Sequence, residues 1–307
     1  MRAIAKPESA WRTLLARRFT YETRSAALFI LPVMAVLALV AVFPIVYSFY
    51  ISLFKLKLTR PQRVPFVGFD NYLAILGDEL FWSSVWRTVY FTLVSVSLIT
   101  LLAVAMALLL NETFRGRRFI SAMILIPWAI PTVANGLLWK WIYDSGYGAL
   151  NGLLYQLGFI ERYITWLGDA DKTLLLIANA FVWKEVPLAA ILILVTMKSI
   201  PADLYRAAKV DGANVLQRFI HITLPSLKPG FMLVIIYETM MAIRHFDLFF
   251  LLTEGGPANA SHVVSWQIYV ETFRNLSFGT GSAMSYLLAI VTFALAYATI
   301  KMLGSKL

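Results

Sequence analysis

The hydrophobic positions of this chain fall into six long runs, and polar segments separate these runs. Each run is close to the roughly 20 residues that an α-helix needs to cross the hydrocarbon core of a bilayer. The pattern therefore predicts an all-α membrane protein with six transmembrane helices. The predicted spans are approximately 25–53, 86–110, 119–143, 173–197, 231–253 and 282–303.

The first run is longer than the apolar stretch of a signal peptide, which has about 7–15 residues, and no A-x-A cleavage pattern follows it. We expect it to be retained as the first span. Composition supports a membrane protein, because 60% of the 307 residues are hydrophobic and only 14% are charged. The chain has no cysteine, which excludes disulfides, a thiolate nucleophile and a cysteine-based zinc site.

The net charge of +10 predicts an orientation in the membrane. With six spans, both termini lie on the same side, and that side carries sixteen Lys and Arg residues against seven in the loops of the other side. Because cytoplasmic loops of membrane proteins are enriched in Lys and Arg, both termini are predicted to be cytoplasmic. The loops 54–85 and 144–172 are then outside, and the segment 198–230 is inside.

The inner segment between the fourth and fifth spans predicts a helix, a turn and a second helix. Pro201 suits the first turn of a helix, and Asp211-Gly212 interrupts that helix. Asn214 is a candidate N-cap for the second helix, which Pro225 is expected to end. From these residues alone, the element is either an amphipathic structure on the membrane surface or a docking site for a soluble partner.

This segment resembles the E-A-A…D-G-A…F…I…L-P…P loop of permease subunits in binding-protein-dependent ABC importers. The corresponding residues here are Arg206-Ala207-Ala208, Asp211-Gly212-Ala213, Phe219, Ile222, Leu224-Pro225 and Pro229. Other motifs are similar to the carbohydrate-uptake branch with maltose/trehalose-type permeases: Trp139-Lys140 with Gly148 and Asn151, Phe246-Asp247 with Leu252-Thr253-Glu254-Gly255-Gly256-Pro257, and Phe278-Gly279 with Ser282-Ala283. One departure is Arg206, where the family usually has Glu.

The resemblance implies the architecture of an ABC type I importer permease. A cytoplasmic arm (1–24) would precede a six-span permease domain (25–305), and the loop 198–229 would dock a cytoplasmic ATPase dimer. The resemblance assigns ATPase contacts to Arg206, Ala207, Ala208, Asp211, Gly212 and Ala213. ATP and Mg²⁺ would then be bound by that partner and no cofactor by this chain, which has no G-x-x-x-x-G-K-[ST] phosphate loop.

The same resemblance implies further partners and a location. These are a second, unequal permease subunit, an extracytoplasmic sugar-binding protein and the lipid bilayer of a bacterial or archaeal cell, in which the chain is a multi-pass protein. The chain itself would be a transport subunit and not an enzyme, and its sequence predicts neither a catalytic nor a metal-ligating set of residues.

Charged side chains within spans are costly and tend to face a cavity or a partner. Glu238 and His245 lie seven residues apart on one face of the predicted fifth span. Counting from the family motifs assigns substrate contacts to Glu185, Leu188, Glu238, Met241, Ala242 and His245. The alternative is that Glu238 and His245 bind across the interface with the second permease subunit, and that Arg244 and Asp247 form an i, i+3 ion pair.

The function that the resemblance implies is import of a sugar or related polyol by alternating access, driven by ATP on another chain. One alternative keeps this machinery and changes the cargo to a polyamine, phosphate or another small solute. A second alternative is a self-contained proton-coupled carrier with Glu238 and His245 as its proton relay. The docking loop distinguishes the ATP-driven importer from the self-contained carrier, because a self-contained carrier does not need such a loop.

Overall fold

The computed structural model describes residues 21–304, and within that range it is built from α-helices with a few π and 3-10 segments. Extended pairing in these residues is limited to two isolated bridges, Phe54–Phe66 and Lys57–Ser277. The all-α prediction is therefore confirmed. Most of the predicted arm, 1–24, lies outside the described residues. The helices are α1 (Tyr21–Leu37), α2 (Phe43–Ser52), α3 (Asp70–Leu76), α4 (Glu79–Asn111), α5 (Arg117–Ile124), α6 (Ile126–Ala129), α7 (Thr132–Ile142), α8 (Ala149–Gln156), α9 (Ala170–Lys198), α10 (Ala202–Val210), α11 (Val215–Arg218), α12 (Leu224–Ser226), α13 (Lys228–Ile243), α14 (Asp247–Leu252), α15 (Val264–Tyr269) and α16 (Phe278–Gly304).

Six units of this fold correspond to the six predicted spans. Four are continuous helices long and apolar enough to cross a membrane: Leu28–Ser52, Glu79–Asn111, Ala170–Lys198 and Phe278–Met302. Two further pairs of helices meet the same test only when each pair is taken together across a bend, of 93° between Arg117–Ala129 and Thr132–Ile142 and of 60° between Val215–Ser226 and Lys228–Ile243. Counting each bent pair as one span gives the predicted six.

The third span is interrupted between α6 and α7, where the sequence pattern predicts one helix over 119–143. The cause is Pro131, which has no N–H to donate and disfavours helical geometry at the residue before it. Ile130 accordingly has ψ of 129°, and Pro131 has ψ of 142°. The prediction of an unbroken third span is therefore wrong.

The fifth span is also shorter than the predicted 231–253, because α13 ends at Ile243 and a new helix, α14, begins at Asp247. The carbonyl oxygen of His245 accepts a hydrogen bond from Oγ of Ser265 at 2.6 Å. A side chain distant in sequence thus satisfies a backbone group at the interruption. This matters because an unsatisfied carbonyl is costly at membrane depth.

Helix α4 is longer than the predicted span 86–110, since it contains 33 residues. At 1.5 Å per residue this is about 50 Å, more than the roughly 30 Å of hydrocarbon. Its start is fixed by Asp78, whose side chain accepts a hydrogen bond from the N–H of Leu80 at 3.1 Å. Helix α4 is therefore longer than the hydrocarbon core is thick.

The core is centred on α9, which packs against α4 and α13. Small residues on α9 and α4 allow close approach of the helix backbones, and those that are fully buried are Ala103, Ala107, Ala180, Ala189 and Ala190. By contrast, none of the apolar part of Leu28–Ser52 is buried within the chain. Helix α9 is thus the interior of this subunit, and the first span lies at its edge.

The predicted helix–turn–helix in the loop 198–229 is present as α10 and α11. Gly212 has φ of +78°, a left-handed conformation that favours glycine. Asn214 and Gln217 form a reciprocal capping box at the start of α11. Pro225 lies one residue before the end of the helical segment Val215–Ser226, which a 60° bend separates from Lys228–Ile243, close to the predicted end of the second helix.

Candidate functional site

A cavity of about 340 Å³ lies where the two interrupted spans meet the middle of α9. Helix α14 packs against both α7 and α9, which brings the two interruptions together. The cavity lining contains charged, aromatic and apolar side chains. Its members are Trp128, Thr132, Lys184, Glu185, Tyr237, Met241, Arg244, His245, Phe246 and Asp247.

An ion pair between neighbouring residues of α9 lines the cavity. Nζ of Lys184 lies 3.3 Å from Oε1 of Glu185, and both side chains are largely buried, at 11% and 7% exposure. The second carboxylate oxygen of Glu185 has no hydrogen-bond partner among residues 21–304. The pair therefore neutralises a buried charge but leaves one buried acceptor oxygen without a partner among the described residues.

The four candidate residues of the fifth span do not share one environment. Met241 and His245 line the cavity, whereas Glu238 and Ala242 are buried outside its lining. Glu238 is fully buried, and neither of its carboxylate oxygens has a hydrogen-bond partner within the described part of the chain. Of the two candidates on α9, Glu185 lines the cavity and the half-buried Leu188 does not.

His245 and Arg244 belong to the short connection between α13 and α14. The imidazole packs edge-on against Phe181, with ring centres 4.8 Å apart, and within residues 21–304 its Nε2 has no hydrogen-bond partner. Nη2 of Arg244 contacts Sδ of Met241 at 3.0 Å. The ion pairs of the described residues do not include Arg244 with Asp247, so the i, i+3 pair of the alternative interpretation is not formed, and both residues line the cavity.

Seven lining residues were not among the sequence-based substrate contacts: Trp128, Thr132, Lys184, Tyr237, Arg244, Phe246 and Asp247. Trp128 and Thr132 flank the interruption at Pro131, and Phe246 precedes α14. A proline near the centre of an apolar run was the available signal for the first two. Trp183 does not line the cavity and packs against Trp139 with ring centres 5.8 Å apart.

The chemistry of this lining suits a small polar ligand without net charge. Lys184 and Arg244 are balanced by two carboxylates, and aromatic rings provide flat apolar surface. A larger groove of about 910 Å³ runs between α4, α13 and α16, but its lining is almost entirely apolar. Ligand sites combine apolar walls with a few placed polar groups, so the smaller cavity is the candidate site.

Comparison with known proteins identifies the family. Residues 99–303 match the family described as binding-protein-dependent transport system inner membrane component. This chain belongs to that family. The permease is 39% identical over 279 residues to the trehalose/maltose transport system permease protein MalF of Thermococcus litoralis, a match that covers 90% of this chain and 93% of the relative.

Two further comparisons agree with this family. The permease is 36% identical over 270 residues to the sulfoquinovosyl glycerol transport system permease protein SmoG of Agrobacterium fabrum, with 88% and 86% of the two chains covered. A solved bacterial ABC transporter that imports the acidic polysaccharide alginate has the same fold, with a TM-score of 0.80, 20% identity, and 97% and 99% of the chains covered.

One family motif in this permease has a structural role. Asn151 is fully buried, and its Nδ2 donates hydrogen bonds to the carbonyl oxygens of Asp144 and Ile164, at 3.1 and 2.9 Å. Its Oδ1 accepts from Nε1 of Trp166 at 3.0 Å. At Gly148, a Cβ atom would lie 2.3 Å from the carbonyl oxygen of Asp144. These residues therefore fix the loop after the third span and do not contact the cavity.

The buried ion pair gives a first testable prediction. Glu185→Leu leaves the Lys184 ammonium buried without its carboxylate, and we expect a loss of about 3 kcal/mol in the free energy of unfolding. The double variant Lys184→Met with Glu185→Leu removes both charges and should recover most of that loss. Denaturation midpoints of the purified permease in detergent measure both effects, and equal midpoints for the single and double variants would contradict the pairing.

Proposed function

We propose that this chain is the membrane-spanning subunit of an ATP-driven ABC importer, and that the imported sugar passes through the 340 Å³ cavity. The proposal is carried by the position and chemistry of that cavity, which lies at the breaks Ile130–Pro131 and Arg244–Phe246 in a binding-protein-dependent permease. Interrupted helices that line a binding site near the middle of the membrane are a recurring arrangement in transporters.

The cavity favours an uncharged sugar over the other cargoes. A site for phosphate needs an excess of cations and a site for a polyamine needs an excess of carboxylates, whereas this lining contains two of each. Its volume is near the lower end of the range for ligand pockets, which suits a mono- or disaccharide. The names of the relatives, for trehalose/maltose and sulfoquinovosyl glycerol, support a ligand with sugar rings.

The loop with α10 and α11 is the proposed docking site for a cytoplasmic ATPase dimer, which would bind ATP and Mg²⁺. Val210, Val215 and Leu216 are exposed there at 88%, 74% and 64%, a cluster of apolar side chains that a partner would cover. Arg206 pairs with Asp203 on the same helix. Arg206, which replaces the usual Glu of the family, thus has an ion-pair partner within this chain. It does not need an acidic residue on the ATPase as its partner.

The remaining partners and the orientation are part of the same proposal. The excess of Lys and Arg on the side of the docking loop supports a cytoplasmic location for that loop and for both termini. An extracytoplasmic sugar-binding protein would deliver the ligand from the other side, as the family description implies. A second permease subunit would complete the pathway.

A self-contained proton-coupled carrier is not favoured by these findings. Glu238 and His245, the candidate relay, do not hydrogen-bond to each other, and neither Glu238 oxygen has a partner within residues 21–304. A relay needs groups linked by hydrogen bonds or water. The family to which the chain belongs depends instead on a binding protein.

The energy source can be tested with reconstituted vesicles. We expect uptake of radiolabelled trehalose or maltose to need the binding protein, the ATPase partner and ATP, and to continue in the presence of a protonophore. Gradient-driven uptake by this chain alone would contradict the proposal. A panel of mono- and disaccharides in the same assay identifies the preferred cargo.

The role of the cavity in transport can be tested by comparing a residue that lines it with a residue that does not. His245→Ala removes a lining side chain and should lower sugar-stimulated ATP hydrolysis of the assembled importer about tenfold, because the ligand loses a polar contact. Leu188→Ala, outside the lining, is the matched control and should change it less than twofold. If His245→Ala instead prevents copurification with the other subunits, the interface alternative is correct.

The docking loop can be tested at one exposed position. Val210→Ser removes apolar surface from the proposed ATPase contact without disturbing the core, and we expect weaker copurification and at least a threefold loss of uptake. Val210→Ile keeps the apolar surface and serves as the control. Unchanged ATPase binding in the serine variant would refute this assignment.

A further inference from the structure

Five aromatic side chains form a continuous cluster beside the cavity, which we call the aromatic track: Phe246, Phe250, Trp266, Tyr269 and Phe273. Tyr269 is its centre, with ring centres 4.9 Å from Phe246, 5.7 Å from Phe250 and 5.4 Å from Trp266. Phe273 continues the cluster at 5.4 Å from Tyr269. The rings therefore form an uninterrupted sequence of contacts.

Local sequence explains this alignment. Phe246 and Phe250 are four residues apart at α14 and stack with ring centres 5.5 Å apart. Tyr269 and Phe273 are also four residues apart, at the end of α15 and in the π-helical turn Val270–Arg274. The hydrogen bond from Ser265 to the carbonyl of His245 holds these two elements together. Two aromatic pairs from separate elements thus face each other.

One end of the aromatic track, Phe246, lines the cavity, and the other end, Phe273, is exposed. Phe246 is a lining residue of the 340 Å³ cavity. Trp266 is only 2% exposed, Phe250 is 36% exposed and Phe273 is 60% exposed. Because α16 begins at Phe278, on the side that the charge distribution assigns to the outside, the exposed end of the track lies toward the outer surface. The rings connect that surface to the cavity.

A cation and an ion pair border the buried ring of the track. The guanidinium of Arg274 lies 4.8 Å above the ring of Trp266, and it also pairs with the carboxylate of Glu254. This partly exposed ion pair places donors and acceptors next to the outer end of the track. A sugar ring presents apolar C–H faces and hydroxyl edges, which match aromatic rings bordered by polar groups.

We propose that the aromatic track is a stacking site for a sugar ring, occupied while the sugar moves between the outer surface and the cavity. The inference rests on the proposed function, since it assumes a sugar as cargo. The proposed role of the track is to retain the sugar between the outer surface and the cavity. A ring stacked on Tyr269 and Phe273 is less able to escape outward before it reaches the cavity.

The test measures sugar imported per ATP hydrolysed, with trehalose and maltose as probes, in vesicles containing the assembled importer and its binding protein. Phe273→Leu and Tyr269→Leu keep apolar volume but remove a ring. We expect each to lower the ratio of sugar to ATP about two- to tenfold. Loss of retention lowers this ratio, whereas a purely structural defect lowers assembly or both rates together.

Phe159→Leu is the matched control, because Phe159 is an exposed ring at 74% in an outer loop away from the track. Phe273→Tyr retains a ring and should keep most of the ratio. An unchanged ratio in both leucine variants overturns the inference, as does failure of Phe273→Leu to copurify with the other subunits, which would indicate an interface. If Tyr269→Leu alone fails to assemble, Phe273→Leu decides. Failure of the unaltered importer to carry any probe contradicts the proposed function itself.

Discussion

The structure depends on one constraint, which is that every backbone N–H and C=O in the hydrocarbon core needs a partner within the protein. A span can therefore be interrupted only where other helices cover the break. Both interruptions, at Pro131 and at Arg244–Phe246, lie next to α9, the most buried of the four continuous candidate spans. Helix α14 packs on α7, where Gly136 admits Leu251 so closely that a Cβ atom would lie 2.5 Å from its Cδ1. The cavity exists because both interruptions lie against α9 and the packing of α14 on α7 holds them together.

Electrostatics then determines what the cavity can hold. A buried charge at this depth is costly unless it is paired, and Lys184 and Glu185 meet that condition on adjacent residues of α9. Arg244 and Asp247 add one charge of each sign but are not paired with each other among the described ion pairs. The result is a lining with several donors and acceptors and no net charge. Such a lining matches hydroxyl groups better than it matches an ion.

The sequence was sufficient to predict the helical spans and the form of the docking loop, since both follow from local properties. Hydropathy over about 20 residues identifies a span, and Asn214 and Gly212 act on their own neighbours. Which side chains line the same cavity could not be predicted in this way. Heptad-like spacing grouped Glu238, Met241, Ala242 and His245, but α13 ends before His245, and packing against other helices buries Glu238 and Ala242. Trp128 and Phe246 reach the cavity only because of the interruptions, which are tertiary features.

The central claim is that a sugar binds where the two interrupted spans meet α9. The most direct measurement is a cryo-EM structure of the assembled importer with its transported sugar trapped in the membrane region. The account predicts density for the sugar in contact with Trp128, Glu185 and His245. Density in the apolar groove between α4, α13 and α16, with the cavity empty, would contradict it.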